Sequence, residues 1–484
     1  MKYLLIACRS RADVTTRLSY AAKIIKDRKN LDSLVIFDKK INKECLDIYK
    51  LFNIRNIKNY FNFLRFHQNL ILLIKSLFYF LYYFIKINFK SLNWFVDNFK
   101  VNQILVGDLI YDRYIRNGYK YLHPNIYSIK FLKLLFFSII KINIISQIFK
   151  NYHISYCLIG SKSYLSMSAL ILRVSKKFGV KTLLIGGGVY KVYKNDYNEE
   201  PSKNNIEKIL NETNKKKLRK ESIKYFNNRI NGRLSLDTNK EIRSWDEKYW
   251  SKFSKNQVFL SQLKKERKKF KKIIVFASHS FSENNHYTGS IIFRDYFQQF
   301  VETIKFAKKD KNNLWLFKLH PASKTKYNEL ESSLQVLKKN IAQNILICPL
   351  RFNHKLLFKH ADLIISSRGT INIEAACYGV PNLITTGAYY DGFGFSKRVK
   401  TKKQYFDYLS KRKKYKNLTK DLRQKAKEVL YVKKKLTSTN IYNIASRRIN
   451  SKKIYFKKIE NLIALGDEKL KSYYDEMIED LFIK

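Results

Sequence analysis

The sequence predicts an α/β fold in which two Rossmann-like domains face a cleft, with extra helices, and three observations carry that expectation. Short apolar runs alternate with helix-compatible segments through both halves of the chain. Residues 361–381, ADLIISSRGTINIEAACYGVP, read as a strand, a polar loop, a helix and a second strand. The length of 484 residues exceeds what one core usually serves, so two domains are expected.

Residues 3–7 open the chain as an apolar strand, followed by a polar loop from Cys8 to Asp13 and a helix over 14–25. A second strand covers 34–37, and 103–106 repeat the pattern ahead of the segment GDLIYDRYIR at 107–116. Short strands at 156–159 and 182–185 lead into Gly160-Ser161-Lys162-Ser163-Tyr164 and into Gly186-Gly187-Gly188. In a doubly wound sheet such inserts fall where functional loops gather. No G-x-G-x-x-G fingerprint is present, and the triple glycine reads equally as a turn.

From about residue 195 to 272 the chain turns polar and basic, with Lys215-Lys216-Lys217 and the lysine-rich run 264–272; Trp245 and Trp250 are expected to anchor this bridge. A clean strand at 273–276 begins the second domain, followed by a polar segment at 278–286 and an amphipathic helix from 290 to about 308. The strand at 314–319 ends at His320-Pro321, and a helix (324–338), a strand (345–347) and a helix (354–360) lead into the 361–381 unit. Helices at 402–411 and 418–431 follow. The expected division is a first Rossmann-like domain over 1–235, a basic linker over 236–272, a second Rossmann-like domain over 273–435 and a helical tail over 436–484, which packs back across the first domain.

A formal charge of +56 and a pI near 9.9 point toward anionic partners. The chain is rich in Lys, Asn, Ile, Phe and Tyr together, the mixture an AT-rich genome favours, so much of the charge is read as solvated surface. It carries no zinc finger, RRM signature or readable helix-turn-helix, and no specific nucleic acid is expected as a partner. Five widely spaced cysteines without a C-x-x-C pair fit a reducing compartment and exclude a disulfide framework. The apolar run near the N-terminus is too short for a signal peptide, so a cytoplasmic location is expected. Residues 70–85 and 131–149 are strongly apolar but interrupted by Lys75, or by Lys133 and Lys141, and are read as core helices. Their alternative is interfacial docking on anionic head groups, peripheral at the inner face of the membrane.

The loop from Ser366 to Thr370 is the first place to look for chemistry. The first turn of a helix offers unpaired N–H groups and a partial positive charge to a phosphate. Ser366, Ser367 and Thr370 add hydroxyls, Arg368 adds a cation, and Gly369 lets a ligand approach the backbone. Glu374, one turn beyond Thr370, is placed to hold two ribose hydroxyls; its alternative is a simple helix-dipole partner. Three further loops should reach the same sheet edge: His279 to His286, His320-Pro321, and GAYYDGFG at 387–394. Lys318 and His320 supply two donors aimed near one phosphate site.

These pieces together resemble the capsule and surface polysaccharide glycosyltransferases of the two-Rossmann type called GT-B. The matching residues are KLHP at 318–321, ADLIISSRGTINIEAACYGVP, HSFSENNHYTG at 279–289, FRDYFQQFVETIKFA at 293–307 and GDLIYDRYIR. The His-Pro and Ser/Thr pair is similar to that of transferases using CMP-activated acidic sugars, including sialyl- and Kdo-transferases. The resemblance implies that His320 binds the donor phosphate and that Ser366, Ser367 and Thr370 hold the nucleotide. It also implies a nucleotide-sugar co-substrate, CMP-sugar favoured, bound by the 273–435 domain, and a polysaccharide or lipid-linked acceptor on the side of the 1–235 domain. Polyol-phosphate polymerases of teichoic-type pathways share a similar layout and are the alternative; a nucleic-acid-binding protein and a non-catalytic assembly protein are the readings from other classes.

Glycosyl transfer places negative charge on the leaving phosphate, which helix-terminal N–H groups, His320, Lys318 and Arg368 can stabilise. No D-x-D occurs, so no metal and no cofactor are expected. The base that activates the acceptor is sought first at Asp108 and Asp112, with Glu283 and His286 as alternatives. Asp112 also reads as a helix-start residue paired with Arg113 or Arg116.

Overall fold

A computed structural model describes residues 1–38, 40–117, 122–186, 189–232, 254–289, 291–325, 329–410, 415–439 and 452–483. The chain divides into two units, Met1–Asn205 with Lys435–Lys484, and Ile206–Lys434. Each is built on a six-stranded Rossmann-like sheet. Trp245, Trp250, Gly187 and Gly188, to which the sequence assigns an anchor and a turn, lie outside the described residues.

The first unit runs β1 (Lys2–Ala7), α1 (Ala12–Lys29), β2 (Asp32–Phe37), α2 (Lys43–Leu51) and β3 (Asn56–Asn59), then α3 (Phe66–Asn88) and α4 (Leu92–Asn98). A small ribbon of β4 (Lys100–Val101) and β5 (Ile104–Leu105) precedes α5 (Gly107–Arg116) and α6 (Ile129–Asn151). The unit continues through β6 (His153–Ile159), α7 (Met167–Lys177), β7 (Lys181–Ile185) and β8 (Tyr190–Tyr193). The sheet order is β3-β2-β1-β6-β7-β8, parallel except for the β7–β8 pair. Alternation along β1 builds two cores. Leu5 and Ala7 face α3 to α7, whereas Leu4 and Ile6 face α1 and α2.

The apolar run at 103–106 forms a strand at Ile104–Leu105, but not one of the six-stranded sheet. Asn102 and Gln103 take φ of 50° and 65°, a turn with two consecutive left-handed residues that folds the run into the antiparallel β4–β5 ribbon. The glycine that follows is required by packing. A Cβ on Gly107 would sit 1.9 Å from the carbonyl oxygen of Phe95 and 2.9 Å from Cβ of Phe99. Gly107→Ala should therefore push α4 off α5 and destabilise the protein by roughly 3 kcal/mol, read as a lowered urea midpoint with an unchanged slope.

The two apolar stretches behave differently. Both α3 and α6 are long and apolar enough, by length and composition, to cross a membrane. The most apolar stretch of α6 is 61% buried, as a core helix should be, whereas that of α3 is only 11% buried. Thus the core-helix expectation fails for residues 70–85: α3 is apolar all round, and only the face toward α6 is covered.

The second unit begins within α8 (Ser202–Glu212) and continues through α9 (Lys215–Ile230) and α10 (Ser254–Arg267). Its sheet unit runs β9 (Lys272–Ala277), α11 (Tyr296–Lys309), β10 (Asn313–Lys318), α12 (Ala322–Thr325), α13 (Leu330–Lys339), β11 (Ile345–Cys348) and α14 (His354–His360). Next come β12 (Leu363–Ser366), α15 (Thr370–Tyr378), β13 (Asn382–Ile384), β14 (Lys397–Arg398), α16 (Lys402–Ser410) and α17 (Lys420–Thr439). Every strand pair is parallel, in the order β11-β10-β9-β12-β13-β14. The division falls thirty residues before the expected end of the first domain, because α9 belongs with this unit: Ser222 accepts from Gln424 at 3.1 Å and Arg229 reaches Glu374. The helix expected from 290 starts at Tyr296, capped by Asp295, whose carboxylate accepts from the Gln298 N–H at 2.7 Å.

The tail helices α18 (Lys452–Leu465) and α19 (Glu468–Ile483) return to the first unit. They bury Ile459, Tyr474, Met477 and Leu481 in the core beside α1, and the Tyr455 hydroxyl meets Thr16 at 2.6 Å.

Candidate active site

A doubly wound sheet opens a crevice where its strand order reverses, outside the carboxyl ends of the two strands that flank that point. In the second unit those strands are β9 and β12, whose register pairs Ile365 with Phe276. The loops that follow them, 278–289 and 367–369, together with those after β10 and β13, therefore gather at one edge. They touch. The Arg368 guanidinium lies 4.9 Å from the Tyr287 ring centre, Tyr390 donates its hydroxyl to the Gly369 carbonyl at 2.7 Å, and Thr288 meets Thr386 at 3.0 Å.

The 278–289 loop is held by a carboxylate with no local sequence signature. Glu329, 1% exposed, accepts from the N–H groups of Phe281 and Ser282 at 2.8 Å each and from the Ser282 hydroxyl. Burial pushes its pKa up, against the pull of these donors. Asn285 adds two ties, donating to the Phe281 carbonyl at 2.9 Å and accepting from the Tyr296 N–H at 2.7 Å.

On this base sit two imidazoles, His279 and His320, stacked with ring centres 5.7 Å apart. The Ala322 N–H donates to Nδ1 of His320 at 3.2 Å, and the Ser280 hydroxyl lies 3.1 Å from the same nitrogen. Because Nδ1 is an acceptor, the neutral ring carries its proton on Nε2. His279 also packs on Tyr296, at 4.6 Å, and its Nδ1 is 3.8 Å from Glu283. Burial, then the neighbouring His320, drives the His279 pKa from 6.5 down to about 3, with Arg368 acting in the same direction. The ring is thus neutral at physiological pH.

This depression makes the protein acid-sensitive. The unfolded chain protonates His279 near pH 6.5 and the folded chain only near pH 3, so stability is full above pH 6.5 and drains as the pH falls through that window. Thermal midpoints measured between pH 8 and pH 5 should fall, and His279→Gln should flatten the slope.

Several residues expected to touch a ligand have protein partners in the structure. Ser366, 2% exposed, accepts from the Gly369 N–H at 2.8 Å and donates to Asn372 at 2.5 Å, so its hydroxyl shapes the turn. Ser367, equally buried, donates at 2.7 Å to Oε1 of Gln299, which also accepts from Thr385 at 3.0 Å. Lys318 points its ammonium at the Leu350 carbonyl, 2.8 Å away, tying down the loop after β11. Glu374 is buried against Arg229 and His354, with Arg229 Nε at 2.9 Å and His354 Nδ1 at 2.8 Å, which occupies both carboxylate oxygens. His286 sets Nε2 3.0 Å from the Arg294 carbonyl. In the first unit, Asp108 is buried in an ion pair with Arg173 at 2.6 Å and accepts from the Leu109 N–H at 2.9 Å, a structural setting. Asp112, on the same helix, is 1% exposed.

A smaller, less buried set of residues lies at the same edge. Gly369 is the N-cap of α15, and no side chain caps that helix. Thr370 is exposed, Arg368 and His320 are half-buried, and Glu283 is 34% exposed. A helix N-terminus, a guanidinium and an Nε2–H donor are groups that can bind an anion, and a carboxylate lies on the same loop edge. Among the described residues no three His, Cys, Asp or Glu side chains group as metal ligands.

No protein-family model matches the chain, and no curated protein matches it. Among solved structures it is similar to the β-Kdo 2,4-transferase of KpsC from Thermosulfurimonas dismutans, at 11% identity and a TM-score of 0.32, over 57% of this chain and 79% of that one. It is also similar to a UDP-GlcNAc 2-epimerase from Methanocaldococcus jannaschii in complex with UDP-GlcNAc and UDP (12% identity, TM-score 0.28, 90% of this chain and 100% of that one). A third is a glycosyltransferase from Rickettsia africae (12% identity, TM-score 0.26, 99% and 98%).

Proposed function

We propose that the chain is a GT-B glycosyltransferase that moves a sugar from a nucleotide donor, a CMP-activated acidic sugar favoured, to a cell-surface polysaccharide or its lipid-linked precursor. The observation that supports this reading is that His320, with its proton on Nε2, stacks on His279, a ring that Arg368 also influences, at the switch-point edge of the second sheet where α15 begins. Bond cleavage at the anomeric carbon leaves negative charge on the nucleotide phosphate. The Nε2–H of His320, the first-turn N–H groups of α15 and the Arg368 guanidinium stabilise that charge without a metal. Glu283, beside neutral His279, is the base that takes the acceptor's hydroxyl proton. The preference for CMP rests on the resemblance of the His-Pro and Ser/Thr motifs.

The test is a thermal-shift panel with CMP, CDP, UDP, GDP and dTDP on the wild type and on His320→Ala. A ligand that binds only the folded state raises the melting temperature. Stabilisation by CMP, lost in the variant, is expected. A CDP preference transfers the assignment to a polyol-phosphate transferase, and no shift with any nucleotide refutes the site.

A further inference from the structure

The outer face of α3 is more apolar than the face it packs into the protein. Leu72, Ser76, Phe80, Tyr83 and Ile87 turn inward, with Asn143 of α6 donating to the Ser76 hydroxyl at 2.8 Å and Phe80 set against Phe136 at 5.5 Å. On the opposite side Ile71, Ile74, Phe78, Tyr82 and Ile85 are each half or more exposed, at 60%, 50%, 67%, 57% and 59%. Ile71, Ile74, Phe78 and Tyr79 line one open groove around Lys75. A soluble surface rarely leaves so long an apolar strip bare.

Charge decides what covers it. Residues 56–106 contain six Lys and Arg, residues 122–151 contain four, and the only acidic residue in either stretch is Asp97. The 76–143 and 80–136 contacts run α3 antiparallel to α6, which brings Lys86 and Lys90 to the end where α6 carries Lys130 and Lys133. All four are exposed, and Lys86 and Lys90 lie 5.7 Å and 5.9 Å from the Trp94 ring. Two copies of this face would repel each other. An anionic surface with an apolar interior is complementary to both features.

We propose that α3 lies flat in the boundary between head groups and acyl chains of an anionic bilayer, outer face down, with Lys86, Lys90, Lys130 and Lys133 on lipid phosphates. It does not span. Crossing the membrane would strip Leu72, Phe80 and Ile87 from the core and leave the Ser76–Asn143 pair in hydrocarbon. The long lysine stems reach the phosphates while Trp94 and Tyr82 sit at head-group level. Docking of this face stands whatever the chemistry of the second unit.

The test is flotation of the full chain with phosphatidylcholine vesicles, with and without one-third phosphatidylglycerol, beside sedimentation of the free protein. The wild type should float with anionic vesicles only and release in 0.5 M salt. Ile74→Ser/Phe78→Ser, on an exposed face, should weaken binding at least about tenfold with an unchanged melting temperature. Lys86→Glu/Lys90→Glu should weaken it by a similar factor through charge alone. Absent flotation, equal flotation on neutral vesicles, or variants that float like wild type overturn the proposal. So does a wild-type dimer that Ile74→Ser/Phe78→Ser splits, which assigns the face to a second copy. The nucleotide panel reads out separately, so failure of either leaves the other standing.

Discussion

His320→Ala should lower sugar transfer by roughly two to three orders of magnitude in kcat, with a far smaller change in the apparent affinity for donor. The imidazole is held by the Ala322 N–H and Ser280, both on Nδ1, so its one donor is Nε2–H. A hydrogen bond of this kind strengthens as charge builds on the leaving phosphate, and its loss falls mainly on the transition state. The two amide replacements sharpen the expectation. Glutamine can place an N–H near the position of Nε2, whereas asparagine reaches only the position of Nδ1. His320→Gln should therefore recover about tenfold over alanine and His320→Asn nothing. Steady-state transfer assays, with melting temperatures as a folding check, read this directly; recovery by Asn in place of Gln would reverse the tautomer and remove the donor role.

How far the sequence foretold this arrangement depends on the range of the interactions concerned. Buried parallel strands are short continuous apolar runs, so β9, β10, β12 and β13 stand out in the sequence within a residue or two. Their loops share one edge by topology alone. The run at 103–106 holds a strand as expected, but two left-handed residues at its start, which an apolar pattern does not encode, turn it back on β4 instead of into the main sheet. The direction of a polar side chain is harder to read still. Ser367 is taken by Gln299, 68 residues away, Ser282 by Glu329, 47 away, and Glu374 by Arg229, 145 away. Each partner lies on another element, so the loop was legible and the hydroxyls that shape it could not be told from those that face a ligand. For α3 the apolar pattern was equally plain, but only the packing of α6 shows that one face is covered and the other bare.

Arg229→Met should destabilise the second unit by about 3–5 kcal/mol, the largest stability loss expected of any single replacement discussed. Glu374 is 1% exposed, and its charge is compensated by Arg229, at 2.9 Å from Nε and 2.6 Å from Nη2, and by His354. Burial alone would raise the Glu374 pKa, yet Arg229 and the His354 hydrogen bond bring it below the ordinary 4.5. Burial also lowers His354 below its ordinary 6.5, against the pull of Glu374, so the ring is neutral and donates from Nδ1. Without the guanidinium, a carboxylate is left in the core with one neutral donor, and methionine restores the volume but not the charge. Removing both charges should cost less than the sum: in Arg229→Met/Glu374→Leu no ion remains buried, and the His354 N–H and the Tyr225 hydroxyl each lose a partner. Both depressed pKa values give the same pH sign, stability present at neutral pH and lost as acid protonates His354 and Glu374. The double variant should accordingly show a flatter acid limb than wild type in urea melts taken from pH 7 to pH 4. The pair also joins α9, on the polar stretch read from sequence as a bridge, to α15, whose N-terminus lies at the proposed anion site. Arg229→Met should therefore loosen α9, seen as faster proteolysis within residues 215–230, before the sheet unfolds. Equal losses in single and double variants would mean that α9 is held by its contacts with α17 and that the ion pair adds no coupling.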